Sequence, residues 1–137
     1  MQTTSNMATT GPILMVDDNE TDRMIAQRCY QRTGIPNEFR TLESGSALLT
    51  HLDEVAAGRA PAPAVILLDI NMPGLGGFEV LERLRARPRP DDFVVVMLTN
   101  SDDPRDGERA RQGGADRLMV KPMRVDQYTE FFQSLVA

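Results

Sequence analysis

The sequence predicts an α/β protein whose parallel sheet is covered by helices on both faces. Short apolar runs that indicate buried strands alternate five times with segments of helical periodicity. Two of these runs, residues 65–68 and 93–98, are continuously apolar, which is typical of strands buried on both faces of a parallel sheet. The length of 137 residues fits one domain with one core.

Composition narrows the class of protein. The hydrophobic fraction of 41% and the charged fraction of 26% are ordinary for a soluble globular domain. A net charge of −5 argues against non-specific binding to nucleic acid, which requires a basic surface. The single cysteine, Cys29, fits a reducing compartment. No apolar run has membrane-spanning length and the first residues lack a signal peptide, so we expect a cytoplasmic protein without membrane contact.

The first predicted elements begin and end where the residue pattern of the chain changes. Residues 1–11 are mostly polar and carry no periodicity, so we expect a disordered tail followed by a domain at 12–137. The run "ILMV" predicts a buried strand that stops at Asp17. Helical spacing begins near Thr21 and ends near Gly34. Its expected buried side comprises Met24, Ile25 and Cys29.

The middle of the chain repeats the strand and helix pattern. A weak strand is predicted at 37–42 and a helix from about Ser46. The strand "AVILLD" follows and ends at Asp69, and a helix begins near Gly77. The apolar positions of these two helices are Leu48, Leu52 and Val55 in the first, and Phe78, Leu81 and Leu84 in the second.

The last third contains one ambiguous segment. Residues 87–92, "RPRPDD", predict a loop, and the strand "FVVVML" follows them. Residues 99–114 contain almost no apolar stripe, so a weakly held helix capped by Asp102 or Asp103 and a plain surface loop are equally good predictions. A short strand, "LMV", precedes Lys121. A final helix places Val125, Tyr128, Phe132 and Leu135 on one stripe.

Reactive side chains end four of the predicted strands. Asp17 and Asp18 follow the first strand, Asp69 ends the third, Thr99 the fourth and Lys121 the fifth. In an open α/β sheet, ligands bind outside the carboxyl ends of the strands. A single carboxylate there is usually only a loop residue, whereas the different reactive groups on four strands predict one shared site.

The charges of this site call for a cation. Two carboxylates about 4 Å apart repel by roughly 4 kcal/mol at an effective dielectric constant near 20. Lys121 offsets part of the charge of Asp17, Asp18 and Asp69, and a hard divalent ion such as Mg²⁺ would offset the rest. A soft metal is not expected, because His51 and Cys29 lie on separate predicted helices, as a surface and a core residue respectively.

A carboxylate beside Mg²⁺, with an ammonium and a hydroxyl group to hold phosphoryl oxygens, suits phosphoryl transfer. We therefore predict that Asp69 is the nucleophile and forms an aspartyl phosphate. The apolar strand would present Asp69 rigidly, and the turn "NMPG" behind it would clear space in front of it.

At these residues the sequence resembles the receiver domain of bacterial response regulators, the phosphoaccepting part of two-component signalling. The resemblance covers about residues 12–136 and rests on the motifs "LMVDDN", "ILLDINMPGLGGFEVL", "VVVMLTN" and "GGADRLMVKP", in that order. It implies a flavodoxin-like, doubly wound sheet of five parallel strands in the order 2-1-3-4-5 with five flanking helices.

The resemblance also implies roles for individual residues. Asp17, Asp18, Asp69 and the backbone carbonyl of Asn71 would bind Mg²⁺, with Asp18 as a direct ligand. Asp69 would accept the phosphoryl group, which Thr99 and Lys121 would then hold. The peptide bond between Lys121 and Pro122 would be cis, as is usual in the family.

The sequence departs from the family pattern in four respects. Leu118 stands where the family usually has a switching Tyr or Phe, Asn100 where it often has a small residue, and Gly76 where an acid or amide often caps the third helix. No output domain follows in this sequence, which resembles single-domain, chemotaxis-type regulators.

Three hypotheses follow. The leading one is a stand-alone receiver, phosphorylated on Asp69 by a histidine kinase or a phosphotransfer protein, that signals through contact with a downstream protein and is not a conventional enzyme. The second is an aspartate-nucleophile phosphatase of the haloacid dehalogenase type, but Asn71 stands where that family needs a second Asp. The third is a receiver-like interaction module that works without phosphorylation, which Leu118 favours and the retained site residues disfavour.

Overall fold

The computed structural model describes residues 11–87, 93–100 and 103–136. The predicted tail at 1–11 and the predicted loop at 87–92 fall almost entirely outside these ranges, so both remain predictions.

Five strands and five helices alternate along the chain and form one sheet. The strands are β1 (Ile13–Val16), β2 (Phe39–Leu42), β3 (Val65–Asp69), β4 (Val94–Thr99) and β5 (Arg117–Val120). The helices are α1 (Glu20–Gln31), α2 (Gly45–Ala56), α3 (Gly77–Arg85), α4 (Pro104–Gln112) and α5 (Val125–Val136). The strand order is β2-β1-β3-β4-β5 and every neighbouring pair is parallel, which confirms the predicted fold class and order.

The strand sequences explain the arrangement. β1 and β3 occupy inner positions and every residue of both is buried, as their unbroken apolar runs predict. β5 lies at one edge of the sheet and its residues are exposed or half-buried. Because all strands are parallel, the residues that follow them gather at one edge of the sheet.

The two faces of the sheet bury different side chains. The face covered by α1 and α5 is aromatic, and its rings belong to Tyr30, Phe39, Tyr128, Phe131 and Phe132. The face covered by α2 and α3 is mainly aliphatic, and α4 contributes only Ala110 to it as a buried residue. These two layers hold the carboxyl edge of the sheet in place from both sides.

Capping side chains determine where three of the helices begin. The side chains of Asn19, Ser44 and Asp103 accept backbone N–H groups at the starts of α1, α2 and α4. The ambiguous segment 99–114 is therefore a helix over Pro104–Gln112, with proline in its first turn. α3 starts from Gly76, where only the Glu79 side chain reaches back, to the Gly76 N–H group.

Two residues that we predicted to be buried are exposed. Met24 is 53% exposed, because α1 turns Ala26, Cys29 and Tyr30 inward and leaves Met24 at the border of that face. Val125 is 51% exposed, because it begins α5 and lines an open cavity beside the sheet edge. Cys29 is buried as predicted, whereas His51 is half-buried and not fully on the surface. None of the helices in the described ranges is both long enough and apolar enough to span a membrane.

Candidate functional site

The five reactive side chains predicted at strand ends do lie along one edge of the sheet. Asp17 directly follows β1, Asp69 and Thr99 are the last residues of β3 and β4, and Lys121 directly follows β5. Backbone hydrogen bonds fix this edge, since the Lys121 N–H group donates to the Thr99 carbonyl oxygen at 2.7 Å. Asp18, next to Asp17, completes the set.

Three carboxylates of this edge form a compact acidic cluster. One oxygen each from Asp17, Asp18 and Asp69 lies within 4.8 Å of the others. Asp17 and Asp69 are buried, whereas Asp18 is exposed. Like charges this close are stable only when cations compensate them.

Lys121 supplies one such cation from inside the cluster. Its Nζ atom lies 2.5 Å from Asp17 Oδ2, 2.8 Å from Asp22 Oδ2 and 3.4 Å from Asp69 Oδ2. Burial on its own would lower the pKa of Lys121, but the close contacts with the Asp17 and Asp22 carboxylates outweigh it and raise that pKa. The ammonium group is therefore charged throughout the physiological range.

Asp69 lies between Lys121 and the turn that follows β3. Its Oδ1 atom accepts the backbone N–H of Asn71 at 3.0 Å, and Asn71 itself is exposed. Burial raises the pKa of Asp69, although the hydrogen bond from Asn71 and the charge of Lys121 both act to lower it. A cation bound at the cluster would also favour the ionised form of Asp69.

Thr99 is buried at the end of β4 and turns its hydroxyl group toward α4. The Oγ1 atom donates to Asp106 Oδ2 at 3.3 Å. This hydrogen bond connects the site to the first turn of α4, next to the capping residue Asp103.

Two features of the site were missed in the sequence. Asp22, in the first turn of α1, is a fourth carboxylate of the site through its contact with Lys121. The close repetition of acids in "DDNETD" was the available signal. Gly77 packs against the end of β3 so closely that an added Cβ would lie 2.5 Å from the Asp69 carbonyl oxygen, so only glycine fits there.

Two expectations drawn from the family pattern have structural outcomes. The described residues contain no cis peptide bond, so the expected cis bond between Lys121 and Pro122 is wrong here. Leu118, which stands where the family pattern has a ring, is half-buried on β5 and lines a cavity of about 180 Å³ together with Thr99 and Gly107.

The donor set fits a hard divalent cation. Asp17, Asp18 and Asp69 carry three negative charges on oxygen ligands, and Lys121 compensates one of them. Mg²⁺ and Mn²⁺ prefer such carboxylate sites and keep several of their own waters. The exposed position of Asp18 leaves room for those waters.

Comparison with known proteins agrees with this fold. The family model described as "Response regulator receiver domain" matches residues 13–133, so the chain belongs to the response regulator receiver family. The probable methanogenesis regulatory protein FilR2 of Methanothrix harundinacea is 32% identical over 81% of this chain and 72% of its own length. The chain spans about half the length of the next curated relatives that it matches.

Solved structures show the same fold. The chain is similar to the Mn(2+)-bound form of response regulator Rcp1, with 26% identity, a TM-score of 0.77 and 91% coverage of both chains. It is also similar to response regulator RPA3017, in red light signaling of R. palustris, with 29% identity, a TM-score of 0.80 and coverage of 91% and 90%.

Proposed function

We propose that this chain is a phosphoaccepting receiver. A histidine kinase or a phosphotransfer protein would phosphorylate Asp69, and the phosphorylated chain would signal through contact with a downstream protein. The observation that carries the proposal is the position of Asp69 inside a carboxylate cluster, 3.4 Å from the buried ammonium group of Lys121.

The chemistry needs few groups. A carboxylate oxygen of Asp69 attacks the phosphorus atom of a phosphohistidine, the phosphorus–nitrogen bond breaks, and the leaving imidazole nitrogen retains its electron pair. Lys121 and Thr99 would bind oxygens of the transferred group. Mg²⁺, bound through Asp17, Asp18, Asp69 and the Asn71 carbonyl, would supply charge neutralisation. The chain would catalyse only its own phosphorylation and dephosphorylation.

The test is intact-mass spectrometry after incubation with phosphoramidate. We expect the mass to increase by one phosphoryl group with Mg²⁺ and to remain unchanged with excess chelator. Asp69→Asn should not gain this mass, whereas Asp53→Asn, which removes an exposed carboxylate on α2, should behave as wild type.

Leu118 supports a second candidate, a module that acts without phosphorylation. The family usually has a switching Tyr or Phe at this position, and leucine is smaller than either ring. Absence of a phosphoryl adduct and of beryllofluoride binding at saturating Mg²⁺ would favour this second candidate over the first.

A further inference from the structure

Asp22 lies outside the acidic cluster yet binds the lysine that serves it. Asp22 Oδ2 is 2.8 Å from Lys121 Nζ and accepts a hydrogen bond from it. The Asp22 N–H group is held by the Asn19 side chain at the start of α1, so the helix fixes where this carboxylate lies. The contact joins α1 to the segment after β5.

The Lys121 ammonium group is held more closely by Asp22 than by Asp69. A lysine ammonium carries three protons. Lys121 Nζ donates to Asp22 Oδ2 at 2.8 Å and to Asp69 Oδ2 at 3.4 Å, and it forms an ion pair with Asp17 that lacks hydrogen-bond geometry. A phosphoryl group on Asp69 would therefore attract the ammonium group against the pull of Asp22.

Asp22 is the partner that is easiest to release. The Asp17 side chain is 1% exposed, so water could not solvate it after release from Lys121, whereas the Asp22 side chain is 35% exposed. Asp22 also lines a cavity of about 310 Å³ shared with Lys121 and Asn100, so water can solvate the released carboxylate.

From this geometry we infer that Asp22 is a positioning residue that competes with the phosphoryl group for Lys121. In the unphosphorylated chain it holds the ammonium group toward α1. In the phosphorylated chain Lys121 turns to the phosphoryl oxygens and Asp22 is released to the cavity. This inference rests on the proposed phosphorylation of Asp69, and it makes α1 sensitive to the state of the site.

The test compares the binding of beryllofluoride, formed from beryllium chloride and sodium fluoride, at saturating Mg²⁺ by ¹⁹F NMR titration. Asp22→Asn removes the competing charge and keeps the size of the side chain. We expect this variant to bind beryllofluoride about fivefold more tightly than wild type, which is ~1 kcal/mol. A purely structural role would lower the affinity, because the loss of an acid from the first turn weakens α1.

Glu20→Gln is the matched control, since it removes an exposed acid from the same turn of α1. It should bind beryllofluoride within about twofold of wild type, a change equivalent to ~0.4 kcal/mol. The role of Asp22 is refuted, and the proposed function stands, if wild type binds beryllofluoride and Asp22→Asn binds it no more tightly. The same conclusion follows if Glu20→Gln increases the affinity for beryllofluoride as much as Asp22→Asn does. If wild type does not bind beryllofluoride at all, the proposed function is refuted and the role of Asp22 with it.

Discussion

The two sides of this molecule that flank the site are built very differently. On one side, α5 buries Tyr128, Phe131, Phe132 and Leu135 against α1 and the sheet. On the other side, α4 buries only Ala110, and β5, the strand beside it, is an edge strand without a fully buried residue. The first side is held by a packed aromatic cluster, whereas the second is held by a few separate contacts.

Those few contacts lie close to the carboxyl edge of the sheet. The Thr99 hydroxyl donates to Asp106 on α4, and the Arg109 guanidinium group lies 4.0 Å from the centre of the Phe78 ring on α3. Segments with little buried apolar area open locally at low free-energy cost. The difference between the sides therefore predicts that α4 and β5 open more readily than α5.

The largest effect is expected in the aromatic cluster. Phe132 is fully buried and its ring contacts those of Tyr30, Phe39 and Phe131. Phe132→Ala should lower the free energy of unfolding by about 3–5 kcal/mol, because it removes a large core side chain and leaves a cavity. Leu118→Ala on β5 should cost less than ~2 kcal/mol, since Leu118 is half-buried beside an existing cavity. Urea unfolding measures both, and equal losses would contradict the comparison.

The next largest effect is expected when α4 loses its N-terminal cap. The Asp103 side chain accepts the backbone N–H of Arg105 at 2.9 Å. Asp103→Ala should lower the stability of α4 by about 0.5–2 kcal/mol, because the first turn loses its capping acceptor. Hydrogen exchange should become faster in α4 and remain unchanged in α5. Asp126→Ala, which removes an exposed acid from the first turn of α5, is the control, and faster exchange throughout the chain in Asp103→Ala would refute a loosely attached α4.

The aromatic side contains one buried hydroxyl group that is satisfied and one that is not. Tyr30 Oη donates to the Asn37 carbonyl oxygen at 2.7 Å, whereas Tyr128 Oη is buried without a hydrogen-bond partner among the described residues. Tyr30→Phe should therefore cost about 1 kcal/mol, and Tyr128→Phe should be neutral or slightly stabilising. Thermal unfolding of the two variants tests this, and an equal loss in both would mean that Tyr128 Oη has a partner in solution.

The sequence predicted the strand ends of the site well, but it did not predict the weakly packed helix α4. Strand ends such as Asp69 and Lys121 were predictable, because a polar residue that ends an apolar run is a local signal and parallel strands bring these ends together. α4 was not decided by its sequence, because it lacks an apolar stripe. The cap at Asp103 and the packing of Ala110 form it, and the second of these is a tertiary contact.

Asp22 shows the other limit of sequence reasoning. Its partner Lys121 lies 99 residues further along the chain, so only the fold brings the two together. The prediction that Met24 is buried was wrong for a related reason. Helical spacing defines one face of a helix, but it does not define which edge of that face the sheet covers.

The smallest expected effect is a stabilisation of α4. Gly107 lies inside α4, and an added Cβ would lie 3.7 Å from Leu118 Cδ2, an ordinary van der Waals contact. Gly107→Ala should stabilise α4 by about 0.5–1 kcal/mol, because alanine loses less conformational entropy than glycine on entering a helix. Hydrogen exchange should become slower in α4 alone.

Gly113→Ala, at the other end of α4, is the opposing control, since its added Cβ would lie 2.6 Å from Leu81 Cδ2 and should destabilise the same region. If Gly107→Ala leaves exchange in α4 unchanged, then the mobility of α4 is not limited by its own helix stability. Its few contacts with the sheet, including the hydrogen bond between Thr99 and Asp106, would then set how readily it opens.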